Sequence, residues 1–143
     1  RSLAHGIYPP VLMDAGLLEA LRVSARRSTS PVAVTQADVG RYPPDTEAAI
    51  YFCCMEALQN AAKHAPGAPV RLHLADDGHD LRFTVEDDGP GIAPDAPRGH
   101  GLTNMEDRIV AVGGSLLIER SRSGGTRVEG RIPSSAIPPK TGG

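Results

Sequence analysis

Tryptophan is absent and aromatic residues make up only 3% of the 143 residues, so a core must rest on Leu, Val, Ile and Ala. Cysteine is scarce as well. The two present, Cys53 and Cys54, are neighbours inside an apolar run. Adjacent residues cannot staple distant parts of a fold, and no CxxC spacing points to zinc. Reduced, buried thiols in a cytoplasmic protein account for them most simply. Long apolar runs are missing too. The longest, Ala48 to Met55, ends at Glu56, well short of the roughly 20 residues that cross a bilayer. No signal peptide opens the chain, which begins Arg1-Ser2-Leu3 without an initiator Met. Such a start reads as that of a fragment, and a membrane anchor of the parent protein would lie outside it. There is no basic excess, since the formal net charge is -2, so nucleic-acid binding is not expected. The familiar nucleotide and hydrolase signatures are also lacking. No GxxxxGK[ST], HExxH or GxSxG occurs, and Gly99-His100-Gly101 has no third glycine to complete GxGxxG.

What is present is an ordinary globular balance, 40% hydrophobic and 22% charged, at a length that suits one domain. Asp14 to Arg27 reads as a helix with Leu17, Leu18, Leu21 and Ala25 on one side, ended by Pro31. Val32 to Thr35 follows as a short strand. Pro43-Pro44 opens a helix that runs from Asp45 to about His64, with Asp45 or Thr46 as cap, and Pro66-Gly67 stops it. Val70 to Leu74 and Leu81 to Val85 alternate apolar and polar around Asp76-Asp77-Gly78, a hairpin signal. Asp88 to Gly101 has no periodicity and reads as a functional loop. Leu102 to Val112 is helical, ended by Gly113-Gly114, and strands Leu116 to Glu119 and Thr126 to Ile132 flank a turn at Ser121 to Gly125. Residues 134–143 read as a disordered tail. Helices followed by paired antiparallel strands predict a two-layer α/β sandwich, a mixed sheet with helices on one face.

Four segments carry candidate chemistry, and each has two readings. Along the Asp45–His64 helix, Glu56, Gln59, Asn60 and Lys63 fall at i, i+3, i+4 and i+7. They make either a solvated stripe or a row aimed at a charged ligand, in which Asn60 ligates magnesium, Glu56 meets its water shell and Lys63 faces phosphate. Asp87-Asp88-Gly89-Pro90-Gly91 leaves a strand. Asp87 is either a turn-former or a buried carboxylate that needs a donor. The exocyclic amine of adenine supplies one where guanine presents a carbonyl, and an unpaired buried group costs about 1–3 kcal/mol, enough to select the base. Gly99-His100-Gly101-Leu102 leads into a helix and is either a linker or an anion site at a helix N-terminus. Gly124-Gly125-Thr126 reads as a hairpin turn, from which the Thr126 hydroxyl could also reach an adenine edge.

In this order the segments resemble the ATPase fold shared by gyrase, Hsp90, histidine kinases and MutL. Glu56 to His64 is similar to its N box, Asp87 to Gly91 to its G1 box, Gly99 to Leu102 to its G2 box, and Gly125-Thr126 to its final Gly-Thr. Gly101-Leu102-Thr103-Asn104-Met105-Glu106-Asp107-Arg108 resembles the Gly-Leu-x-x-Met-x-x-Arg helix of sensor kinases related to the nitrate and desaturase sensors. Leu3 to Leu12 resembles the joint between their dimerisation helices and catalytic domain. The resemblance implies a Bergerat sandwich over residues 14–133, with residues 1–13 as the end of the dimerisation helix and connector. It implies that Asp87 holds the adenine amine with Gly89, Gly91, Ile92 and Thr126 around it, and that Asn60 ligates magnesium. Lys63 and His64 would contact phosphates, with Gly99, His100, Gly101 and Leu102 on the phosphate side. Glu56 activates water in hydrolysing relatives and here shapes the metal shell.

The resemblance further implies a histidine kinase that uses Mg-ATP, a response regulator as partner, and a homodimeric parent protein of which this piece is a monomer. None of His5, His64, His73, His79 or His100 suits the family's mid-helix phosphate acceptor, so the acceptor domain is expected to be separate. The piece is then expected to bind ATP but not to phosphorylate itself. Two rivals remain: an anti-sigma-factor-type serine kinase of the same fold, and a nucleotide-binding regulatory module without kinase activity.

Overall fold

In the computed structural model residues 9–90 and 100–138 are described, with side chains at 9–90 and 104–138. In chain order these form α1 (Pro10–Ala15), α2 (Leu17–Arg27), β1 (Val32–Ala37), α3 (Pro44–His64), β2 (Val70–Asp76) and β3 (Asp80–Asp87). Then come α4 (His100–Ala111), β4 (Ser115–Arg120), β5 (Thr126–Pro133) and a 3-10 turn at Ser134–Ala136. The five strands among the described residues make one sheet in the order β1-β2-β3-β5-β4. β1 runs parallel to β2 and the other pairings are antiparallel, so the sheet is mixed as expected.

Register explains the two layers. Val34, Leu72, Val85, Val128 and Ile118 pair in one row across all five strands, and side chains alternate faces along a strand. That row and its neighbours Leu74, Phe83 and Ile132 point to the helices, where Leu21, Ile50, Cys53, Met105 and Ile109 complete the buried cluster. Each fully buried side chain of this size contributes about 1.5–3 kcal/mol. Phe83, 1% exposed, lies over Gly130, where any Cβ would strike its ring. The opposite face carries Arg71, His73, Arg82, Thr84, Arg127 and Glu129, half-buried or exposed. Arg127 pairs there with Glu119 (3.2 Å) and Glu129 (2.9 Å).

Three expectations need correction. The helix expected over Asp14 to Arg27 is split at Gly16, whose φ of 99° closes α1 and redirects the chain before α2. Arg41 donates to the α1 carbonyls of Met13 (3.2 Å) and Asp14 (3.4 Å), and its side chain fills the space a Cβ on Gly16 would need. The cap expected at Asp45 or Thr46 lies two to three residues earlier. Pro43 holds the cap position without a side-chain bond, and Pro44 starts the helix because its fixed φ suits the first helical residue. Glu47, 3% exposed, reaches back from the first turn to accept the Tyr42 N–H (3.2 Å) and the Arg41 Nε–H (3.2 Å). The tail expected to be disordered from residue 134 begins as ordered structure. Ser134 donates its N–H to the His79 carbonyl (2.7 Å), and Ala136 and Ile137 pack on the core. Residues 139–143 lie outside the described residues. So do residues 1–8 of the expected connector, whose remainder sits in α1 and buries Leu12 in the core.

No described helix is long and apolar enough to cross a membrane.

Candidate functional site

Ala57, Ala61 and Ala65, spaced four apart along the C-terminal half of α3 and just past its end, are all small and buried. A cleft lies between this part of the helix and the sheet. The opening is lined by Ala57, Asn60, His64 and Ala65 from the helix side, and by Val85, Asp87, Ile118, Thr126 and Val128 from the strands, with Pro90 at its edge. The walls are mostly apolar and the convergent polar groups few, the pattern of a small-molecule site.

Asp87 ends β3 on its inward face and is 8% exposed. Its Oδ1 accepts the N–H of Gly89 (2.9 Å) and that of Thr126 (3.4 Å). Oδ2 takes no hydrogen bond among the described residues. Yet no polar side-chain atom there is fully buried without a partner, so Oδ2 keeps access to the cleft. The carboxylate is thus held by one oxygen and offers the other. Two glycines make the grip possible. A Cβ on Gly125 would strike the Asp87 carbonyl, and one on Gly89 would strike the Ala65 side chain. Outside the cleft, Asp88 is gripped by Arg71 through two bonds of 3.0 and 3.1 Å and by the Ser123 hydroxyl at 2.7 Å. The Arg71 guanidinium, with Ser123 second, holds the Asp88 carboxyl below the usual carboxylate range.

Of the residues singled out from sequence, the structure brings Asn60, His64, Asp87 and Thr126 to this one cleft. Glu56 is half-buried and Lys63 exposed, and neither lines it. Neither makes an ion pair among the described residues, so the Glu56–Lys63 charge pair of the solvated-stripe reading does not form. Gly89 touches the site through its N–H bond to Asp87. Gly91, Ile92 and Gly99 lie outside the described residues. His100, Gly101 and Leu102 form the first turn of α4. Sequence reasoning missed the apolar lining at Ala57, Ala65, Val85, Ile118 and Val128. The strand alternation signals the last three as inward-facing, but not that they stand at the mouth of a cleft rather than deep in the core.

α4 is fixed against α3 by Met105 and Ile109, both fully buried, by the Cys53 thiol donating to the Met105 carbonyl (3.4 Å), and by the Arg108 guanidinium 4.3 Å from the Phe52 ring centre. Among the described residues no three His, Cys, Asp or Glu side chains gather as a metal site. A cation here would have to rest on the Asn60 amide and on ligand oxygens, a sparse protein donor set that suits magnesium held with phosphates.

Residues 45–136 match the family described as histidine kinase-, DNA gyrase B-, and HSP90-like ATPase. The sensor histidine kinase MctS of Rhizobium johnstonii is 31% identical over 97% of this chain and 32% of its own length. The nitrate/nitrite sensor protein NarX of Escherichia coli is 31% identical over 82% of this chain and 21% of its own length. The chain thus spans a third or less of the length of these relatives. Among solved structures, the histidine kinase domain of the Erythrobacter litoralis EL346 blue-light activated histidine kinase superposes with a TM-score of 0.66 at 31% identity, covering 82% of this chain and 58% of that one. Sheet order, cleft and sequence agree: the chain belongs to the histidine kinase-, DNA gyrase B- and HSP90-like ATPase family, beside the ATPase domains of sensor histidine kinases.

Proposed function

We propose that this domain binds Mg-ATP in the cleft between α3 and the β3–β5 end of the sheet. It then donates the γ-phosphoryl group to a histidine on a separate dimerisation and phosphoacceptor domain, in two-component signalling. The observation that carries the reading is Asp87, with Oδ1 committed to two backbone N–H groups and Oδ2 open to an apolar slot. A purine lies flat between Ala57, Val85, Ile118 and Val128 and donates its exocyclic amine to Oδ2. Guanine would set a carbonyl against the same oxygen.

From that anchor the triphosphate extends past Asn60 toward the C-terminal end of α3. The Asn60 amide oxygen would hold magnesium, which would supply neutralisation of phosphate charge, with the exposed Lys63 and His64 meeting the phosphates. Glu56, set back from the cleft, orders water around the metal rather than activating it for attack. By the family resemblance Gly91 and Ile92 belong to the adenine side and Gly99, His100, Gly101 and Leu102 to the phosphate side. In the transfer itself an acceptor imidazole nitrogen bonds to the γ-phosphorus as the bond to the leaving ADP oxygen breaks. ADP departs with the bonding pair, and the imidazole proton goes to solvent. This domain supplies position and charge neutralisation. The parent protein acts as a cytoplasmic homodimer with a response regulator as its onward partner, and α1 is the end of the connector from the acceptor domain.

Calorimetric titration of the chain with ATP and GTP, each with and without magnesium, tests the reading. ATP should bind in a magnesium-dependent manner and GTP far more weakly. Equal affinities for the two, or no binding of either, would overturn it.

A further inference from the structure

The outer rim of the cleft holds a chain of polar contacts that never reaches the cleft itself. Arg71 on β2 forks onto Asp88 with Nη1 at 3.0 Å from Oδ2 and Nη2 at 3.1 Å from Oδ1, and Nη2 lies 3.8 Å from Glu86 Oε2. Glu86 Oε2 accepts the Ser121 hydroxyl at 2.6 Å, the hydroxyls of Ser121 and Ser123 lie 2.8 Å apart, and Ser123 Oγ donates to Asp88 Oδ1 at 2.7 Å. Ser121 is 4% exposed and also takes the Ser123 N–H (3.1 Å). Its own N–H closes the turn onto the Gly125 carbonyl (2.8 Å). The ring therefore ties together β2, the turn after β3 and the β4–β5 turn.

Asp87 sits at the centre of these elements. Its two N–H donors come from Gly89, just past Asp88, and from Thr126, just past the Ser121–Gly125 turn. Gly125 lies against the Asp87 carbonyl. We infer that Arg71, Asp88 and Ser123 form a latch that positions Asp87 for base selection, by holding the donors of Gly89 and Thr126 on one carboxylate oxygen so that the other stays aimed at the ligand. Arg71, Ser121 and Ser123 do not line the cleft, so they act as positioning residues. An ion pair this exposed adds little to global stability, with the Arg71 side chain 48% and that of Asp88 34% accessible. A paired fork with a third donor on the same carboxylate nonetheless fixes geometry, because a bidentate pair restrains angle as well as distance. The latch rests on the adenine reading of Asp87 for its functional meaning and on the observed contacts for its local one.

The test uses the 143-residue chain with Arg71→Met, Ser123→Ala, both together, Asp88→Asn as a second route, and Arg71→Lys. Each is titrated with magnesium plus ADP and with magnesium plus GDP, while amide exchange at Gly89 and Thr126 is followed in ligand-free protein. Each single loss should weaken ADP about three- to tenfold and shrink the preference for ADP over GDP. The double variant should lose less than the product of the two, since both act through Asp88. Exchange at both amides should quicken while the melting temperature moves by less than about 2 °C. Arg71→Lys should restore only part, because an ammonium cannot fork. Wild-type ADP affinity with unchanged exchange overturns the latch, as does a loss of ADP and GDP alike in step with melting temperature. If wild-type protein binds no ADP, the adenine reading falls. Quickened exchange in the variants would then still support the latch, and unchanged exchange would remove both.

Discussion

Replacing Asp87 with Asn separates its structural role from its ligand role. The amide keeps one carbonyl oxygen, which can stay where Oδ1 accepts the N–H groups of Gly89 (2.9 Å) and Thr126 (3.4 Å). The other position, open to the cleft, becomes an NH2 group. Both backbone donors stay satisfied, so the fold should lose no more than about 1 kcal/mol. The ligand meets a different group, since an amide donor now faces the adenine amine, itself a donor. One lost hydrogen bond with a donor left unpaired costs about 1–3 kcal/mol. At about 1.4 kcal/mol per decade, ADP binding should weaken about 5- to 150-fold. Guanine offers an acceptor at that edge, so GDP affinity should hold or rise. Calorimetry with both nucleotides, paired with a thermal melt, reads all three quantities. Wild-type ADP affinity in a folded variant would refute the reasoning, and so would equal losses for ADP and GDP.

Asn60→Ala should remove most of the magnesium-dependent gain in ATP affinity, about 1 kcal/mol or more, while leaving metal-free binding close to wild type; an unchanged metal response contradicts the role. Burial pushes the Cys53 thiol up to about 12 and the Cys54 thiol well above the ordinary thiol range, so both stay protonated in the native state. A thiol reagent at pH 8 should therefore label neither until the protein unfolds, and rapid native labelling would contradict this burial. Burial, aided by its bond to the Asp76 carboxylate (2.7 Å), raises Tyr42 from about 10 to about 12. Its contribution to stability is thus complete below pH 10 and is lost as pH rises through 12. Tyr42→Phe should flatten the fall in melting temperature between those values, and parallel curves would contradict it.

Strands were the most legible part of the sequence. Val70 to Leu74 and Leu81 to Val85 alternate cleanly because one sheet face is dry and the other wet, and their observed spans exceed the expected ones by no more than two residues at either end. Gly16 was illegible because the 3.6 period of Leu17, Leu21 and their neighbours continues through it. The positive φ of Gly16 that ends α1 is matched by a tertiary contact, Arg41 reaching back from a later loop to the α1 carbonyls. The Pro133–Pro138 stretch looks like a loose tail by composition, but a bond to His79, far away in sequence, holds it. At the site, the polar residues of α3 could be named but not aimed. Glu56, Gln59, Asn60 and Lys63 form one stripe, yet the line facing the cleft is Ala57, Asn60 and His64, rotated by about one residue. Helical spacing defines several overlapping faces, and only packing against the sheet chooses between them. The rim ring around Asp88 had no sequence signal, since Arg71 and Glu86 meet only through strand register and Ser123 reaches Asp88 from the β4–β5 turn.

The most direct test of a nucleotide seated between α3 and β3–β5 is a residue-resolved titration, following backbone amide resonances as Mg-ADP is added. Saturable shifts are expected at Asn60, Ala65, Asp87, Gly89 and Thr126, with His73, Arg82 and Arg127 on the far sheet face unmoved. Shifts centred on that far face, or a saturated complex in which Asp87 and Asn60 stay silent, would contradict it.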